Sequence, residues 1–288
     1  MPLIVHLDQK DWIALGRGYY GLDSEVESVA KLVVRASETE KAIFPLSVIH
    51  LDETLRRTDK DSRGRLAKFM VSVSKGWAIL PAPRIIEPEI EDACLKRLGL
   101  QGYDLAKFAV KKGLSQLMGS KIDLVSSKPL PDGLKKLMLD KIESLETLQL
   151  VMEHGLSELE NEKMRRDAKI ASEKIEKIRL SQSAIKDQNL RHRATIARYL
   201  IDEINPKVIS FLMEIRVNPK SFSNAFLTDQ KQILGFFQSM PTSYCNVELS
   251  YRRDVLKERK TDPNDLNDIM SLSIALPYCD VVITNSRQ

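Results

Sequence analysis

Residues 1–7 are a short run of apolar and β-branched side chains that reaches an acid at Asp8. A strand buried in a parallel sheet has this texture, and it delivers the next side chain to its carboxyl end. Trp12, Ile13 and Leu15 then mark a helical turn, which Gly16, Gly18 and Gly21 are expected to loosen. Helical spacing resumes over residues 24–37, where Val26, Val29, Ala30, Val33 and Val34 recur at intervals of three and four. Residues 41–46 read as a second strand. A strand, a long helical crossover and another strand predict parallel pairing and an α/β start.

Ser47 is placed as the N-cap of a helix running to Arg57. Residues 63–74 make a further helix and residues 77–80 a third strand, after which Pro81, Pro83 and Pro88 punctuate the chain. No proline falls between Pro131 and Pro206 and no glycine between Gly155 and Gly235, so long helices meet no breaker over about residues 134–182. Ile142, Leu145, Met152, Leu156 and Leu159 fit a and d positions of a heptad, interrupted at Gln149. Residues 158–179 alternate charges around few apolar side chains, the pattern of a solvated helical hairpin arm or coiled coil. Turn chemistry at 261–265, a helix over 266–276 and a strand over 281–284 restore the α/β texture. Four residues follow Thr284, too few for another element, so the expected sheet reads as incomplete there.

Composition narrows the class: 43% hydrophobic and 29% charged residues describe a soluble globular chain and exclude collagenous, mucin-like and disordered ones. No apolar run approaches the roughly 18 residues of a bilayer span, and the first residues lack a basic segment and a cleavage site. A cytoplasmic protein without a membrane partner is expected. Cys94, Cys245 and Cys279 lack the spacing of a metal site or a disulfide framework and read as reduced thiols. The net charge of +4 neither demands nor forbids a polyanionic partner, so local clustering has to decide.

Four places put a carboxylate or its amide analogue near the carboxyl end of a predicted strand, the edge at which open α/β sheets bind ligands. Asp8 ends the first strand. Glu53 follows the second and shares a helical face with Ser47 and His50. Asp265 and Asp268 lie three apart at the start of the late helix, and Asn285 and Ser286 end the last strand. Carboxylates gathered from distant segments repel one another unless a cation lies between them, and such oxygen ligands suit Mg²⁺ or Mn²⁺. The corresponding chemistry is metal-assisted phosphodiester hydrolysis. No Walker loop, dinucleotide glycine motif or Ser-His-Asp set is present.

Three runs carry a resemblance: residues 6–15 (HLDQKDWIAL), residues 44–54 (FPLSVIHLDET), and Asp265-Leu266-Asn267-Asp268 through residues 277–284 (PYCDVVIT). In this order they resemble three signature blocks of bacterial PIN-like domains, metal-dependent ribonucleases that include toxins and defence effectors. The resemblance implies a Rossmann-like PIN-type parallel sheet flanked by helices over residues 1–90 and 261–288, with residues 91–260 as a helical insertion. It places the family's first three acids on Asp8, Glu53 and Asp268 as metal ligands, with Asp265 close by among the catalytic residues. Ser47, His50, Thr284 and Asn285 support them. At the fourth acidic position this chain has Asn285, an amide that can contact a metal through its oxygen but brings no negative charge.

Basic residues abut the acids. Arg56, Arg57, Lys60 and Arg63 follow Glu53 closely and are candidates for steering single-stranded RNA, and a second cluster around Tyr251, Arg252 and Arg253 precedes the third acidic block. His50 either orients Glu53 and phosphate or packs beneath the strand. The leading expectation is a metal-dependent endoribonuclease. Its alternatives are a catalytically weakened PIN-like module that binds RNA or protein, and a coiled-coil assembly protein. The helical insertion is the surface expected to serve self-association or a neutralising protein.

Overall fold

Residues 2–125, 129–255 and 263–284 are described by a computed structural model. The protein is mostly helical, with a three-stranded parallel sheet and a short antiparallel pair, an α/β arrangement with much helix. The chain divides into two compact units, Met1–Pro81 with Ala106–Glu162 and Tyr278–Gln288, and Ala82–Leu105 with Lys163–Pro277.

In the first unit β1 (Leu3–Leu7) is the central strand, between β2 (Ala42–Ile43) and β5 (Val281–Ile283). Leu3 and Ile4 pair with Ala42 and Ile43, whereas Val5, His6 and Leu7 pair with Val281, Val282 and Ile283, all in parallel. Asp280 lies at the other end, where its carboxylate accepts the Ile4 N–H at 2.8 Å. That agrees with its position before the strand. β2 is shorter than residues 41–46 because Pro45 has no N–H for a ladder. Leu46 turns instead to β3 (Trp77–Ile79), taking the Ile79 N–H at 2.8 Å and donating to the Trp77 carbonyl at 2.9 Å. β3 also pairs antiparallel with β4 (Val110–Lys112).

Helix α1 (Gln9–Tyr19) runs through Gly16 and Gly18 rather than loosening there. A Cβ on Gly18 would come within 2.9 Å of the Val26 backbone, so this glycine permits close approach of the chain entering α2 (Glu27–Glu38). α3 (Val48–Leu55) and α4 (Lys60–Ser74) follow. Trp12, Leu46, Phe69 and Met70 are sealed in the core, with the Trp12 and Phe69 rings meeting edge to face at 6.1 Å.

Two sequence expectations are corrected in the following segment. Pro83 and Pro88 do not break the chain: α5 (Ala82–Arg97) contains both. Its buried Ile85, Ile90, Ala93 and Cys94 show that packing outweighs the lost backbone bond. The heptad seam is also absent, because its five residues fall on three helices and, at Leu156, on the connection between two of them. Ser144 caps the helix Leu145–His154, and Gly155 ends it at a φ of 72°. Met152 belongs to the first unit's core, whereas Leu159 is 77% exposed on the helix Glu158–Ser183. Helix does fill residues 134–179 apart from 143–144 and 155–157, as the missing breakers imply.

In the second unit α5 packs its Ile90, Ala93 and Cys94 among Val208, Leu212, Phe236 and Phe237. Glu89, fully buried, accepts the Thr242 N–H through both oxygens at 3.0 and 3.1 Å and so caps the helix Pro241–Val255. Among the described residues, no helix is long and apolar enough to cross a membrane.

Arg63 is 5% exposed and directs its guanidinium at the carbonyls of Arg57, Glu153 (3.0 Å) and His154 (3.4 Å). It joins α4 to the end of the helix Leu145–His154. Arg63→Met should therefore cost about 1.5–3 kcal/mol in urea unfolding, since part-buried carbonyls lose a charged donor, and Arg63→Lys should recover only part. Gly155→Ala should also destabilise, by roughly 1–3 kcal/mol, because its positive φ is strained and its Cβ would collide with that guanidinium. A wild-type midpoint in Arg63→Met would contradict this assignment.

Candidate functional site

Because β1, β2 and β5 are parallel, the chain segments leaving them emerge at one sheet edge. Leu7 lies opposite Ile283, so Asp8 and the exposed Thr284 are the next residues out on neighbouring strands. The chain after β2 enters α3, which carries Glu53.

Asp8 does two jobs. As N-cap of α1 its Oδ1 accepts the Gln9 N–H at 2.6 Å, and Asp11 Oδ2 reciprocates by accepting the Asp8 N–H at 3.2 Å. This box holds the Asp8 carboxylate in one orientation at the mouth of the sheet. Burial, the first cause, and neighbouring Asp8 push the Asp11 carboxyl above its usual pKa. The side-chain amide of Gln9 then crosses to α3, donating to Thr54 Oγ1 at 3.1 Å. Gln9 follows Asp8 and Thr54 follows Glu53, so this buried contact ties together the residues next to the two acids.

His50 makes a second tie. Its Nδ1 accepts the Ser47 N–H at 3.0 Å while Ser47 Oγ accepts the His50 N–H at 3.3 Å, closing the N-cap of α3. The ring stacks on His6 at 5.2 Å, meets Trp12 edge-on at 6.2 Å and hydrogen-bonds the Leu7 backbone. With Nδ1 an acceptor, Nε2 carries the proton. Burial, reinforced by His6, holds the His50 pKa well below the usual histidine range. Burial also lowers His6 to about 4, against the opposing pull of Asp8. Both rings are neutral clips near neutral pH. Sequence reading placed Ser47, His50 and Glu53 on one face; it missed Gln9, Asp11 and Thr54, although the acid pair three apart, Asp8 and Asp11, is a readable capping signature.

Asp265 and Asp268 lie on the helix Pro263–Tyr278, whose residues up to Pro277 belong to the second unit; Asp265 is half-buried and Asp268 exposed. Asn285 lies outside the described residues. Among the described residues, no three His, Cys, Asp or Glu side chains are grouped to hold a metal ion. The half-buried carboxylates of Asp8 and Glu53 match Mg²⁺ or Mn²⁺ in kind, as hard oxygen donors aided by a hydroxyl at Thr284. The thiols do not compete, since Cys94, Cys245 and Cys279 are free and burial pushes Cys94 and Cys279 up to about 12.

The basic cluster sorts by environment. Arg56 pairs with Asp52 at 2.6 Å, Arg57 donates to Ser62 Oγ at 2.9 Å, Lys60 is exposed, and Arg63 is committed to backbone carbonyls. Around Tyr251, Arg253 pairs with Asp254 at 2.7 Å and the Tyr251 hydroxyl donates to the Gln188 carbonyl at 2.8 Å.

The two histidines generate a pH dependence. Their folded pKa values lie below the unfolded value of about 6.5, so the unfolded chain takes up protons first as pH falls. Their contribution to stability is complete above about pH 6.5 and is lost toward about pH 4, the folded value for His6. Urea unfolding should show roughly 2 kcal/mol lost through His6 between about pH 6.5 and about pH 5, with His50 adding a loss of the same sign, and His6→Gln should flatten the profile. A midpoint that rises on acidification would contradict it.

No family model matches the chain, and no curated protein or solved structure matches it.

Proposed function

We propose that the protein is a divalent-metal-dependent endoribonuclease of the PIN-like type, acting on single-stranded RNA from a Rossmann-like sheet formed by its two ends. The observation that carries this reading is the buried Gln9–Thr54 hydrogen bond, which holds the segments bearing Asp8 and Glu53 side by side at the ligand edge of a parallel sheet. Asp8 and Glu53 would hold Mg²⁺ or Mn²⁺. When bound, such an ion lowers the pKa of a water and neutralises charge developing on the phosphate oxygens. The chain's own contribution is orientation. The Asp11 box aims Asp8, the Ser47–His50 cap fixes the α3 turn that leads to Glu53, and Thr284 offers a hydroxyl at the same edge. Arg56, Arg57 and Lys60 would hold the phosphate backbone without reading sequence.

The amide Asn285 in place of a fourth acid favours a second reading, an RNA-binding module with weakened catalysis. Cleavage of end-labelled single-stranded RNA with Mn²⁺ separates the two. The ribonuclease reading expects Asp8→Asn and Glu53→Gln each to lose about 100-fold or more in rate, and Thr54→Val about tenfold with weaker Mn²⁺ affinity by calorimetry. Cleavage that persists in EDTA or in Asp8→Asn would overturn it. Binding without metal-dependent cleavage in the wild type would establish the second reading.

A further inference from the structure

A concave cleft of about 370 Å³ lies in the first unit between α1 and the start of α4. Three arginines line it: Arg17 from the last turn of α1, Arg57 from the turn after α3, and Arg65 from α4. Tyr20 and Leu66 supply an aromatic ring and an apolar wall. Asp59 is the sole carboxylate among the lining residues, and its Oδ1 is already taken by the Ser62 N–H at 2.8 Å as the N-cap of α4.

Among the described residues, three arginines meet carboxylates, Arg56 with Asp52, Arg179 with Glu176 and Arg253 with Asp254, and Arg63 and Arg191 are committed to backbone carbonyls. Arg17 and Arg65, both exposed, have no carboxylate partner among the described residues, and Arg57 is held in place by a neutral hydroxyl, Ser62 Oγ. Three like charges around one concavity repel one another, and a low-dielectric wall concentrates their field on any anion that enters. Guanidinium forks match phosphate oxygens two at a time. The volume and the apolar wall exceed what a lone phosphate needs, whereas a nucleotide would use both. The cleft is also reached along the elements that carry the acids. Arg57 follows Glu53 by one helical turn, and at 1.5 Å per residue Arg17 stands about 14 Å along α1 from Asp8.

We propose that this cleft is a nucleotide subsite in which Arg17, Arg57 and Arg65 hold a phosphodiester of single-stranded RNA and Tyr20 packs against its base. The assignment rests on the ribonuclease reading for the identity of the strand, but not for the binding itself.

The test is fluorescence anisotropy of a short labelled oligouridylate in EDTA, where metal-dependent cleavage is off. Arg17→Gln/Arg65→Gln, both at exposed positions, should keep the wild-type thermal midpoint and lose about tenfold in affinity. The slope of log affinity against log salt should shrink by about 1.4, or 0.7 for each lost phosphate contact on a single strand. Lys31→Gln/Lys68→Gln removes the same charge from exposed positions that do not line the cleft, and should leave affinity within about twofold of wild type. Uridine monophosphate should compete better than inorganic phosphate at matched ionic strength. Wild-type binding by the arginine variant, an equal loss in the lysine variant, or equal competition by inorganic phosphate would each overturn the subsite. If the arginine variant behaves as expected while the wild type shows no Mn²⁺-dependent cleavage, the ribonuclease reading fails and the subsite stands.

Discussion

The side-chain hydrogen bond from Gln9 to Thr54 is the contact on which the site's geometry depends. Parallel pairing alone would leave α1 and α3 free to splay beyond the ends of β1 and β2, because the pairing of β2 stops at Ile43. The amide–hydroxyl bond is buried, so breaking it strands polar atoms away from water and carries a larger penalty than an exposed bond would. His50 adds a tie of another kind, its ring bridging the Ser47 N–H to the Leu7 backbone while stacking on His6. Ties of both kinds converge on the same short stretches. Two acids remote in sequence are thereby presented from braced helices, Asp8 at the start of α1 and Glu53 within the last turn of α3, rather than from loops.

What could be read from the residues was whatever local chemistry dictates. Asp8 after an apolar strand, Ser47 as an N-cap, the crossover and the helical stretch without breakers all follow from periods and caps, and the structure contains each. The misread features depend on partners that no local pattern reveals. Gly18 looks like a helix breaker until the Val26 backbone is seen beside it, and Pro88 looks like a stop until the burial of α5 is known. The heptad failed for a related reason. Ser144 and Gly155 divide it, and Met152 is drawn into a core whose other members lie far away in sequence.

Charge shows the same division. Arg56, Arg57, Lys60 and Arg63 form one cluster in sequence, yet burial separates a buried strut at Arg63 from an ion-paired Arg56 and from residues that face solvent. Glu89 is the acidic counterpart in the second unit, a fully buried carboxylate whose work is to cap a helix. Residue type near a site therefore does not establish participation in it. Orientation and competing partners do, which is why three arginines without carboxylates gathered around the α1–α4 cleft are informative while the paired Arg56, Arg179 and Arg253 are not.

The central claim is that the sheet edge braced by Gln9–Thr54 and His50 is a cation site built on Asp8 and Glu53. The most direct measurement is anomalous diffraction from crystals soaked in Mn²⁺, which locates the ion independently of any activity. The account predicts an anomalous peak in contact with the carboxylates of both Asp8 and Glu53, absent from crystals of Asp8→Asn. A peak that touches neither carboxylate, or none at that edge under saturating Mn²⁺, would contradict it.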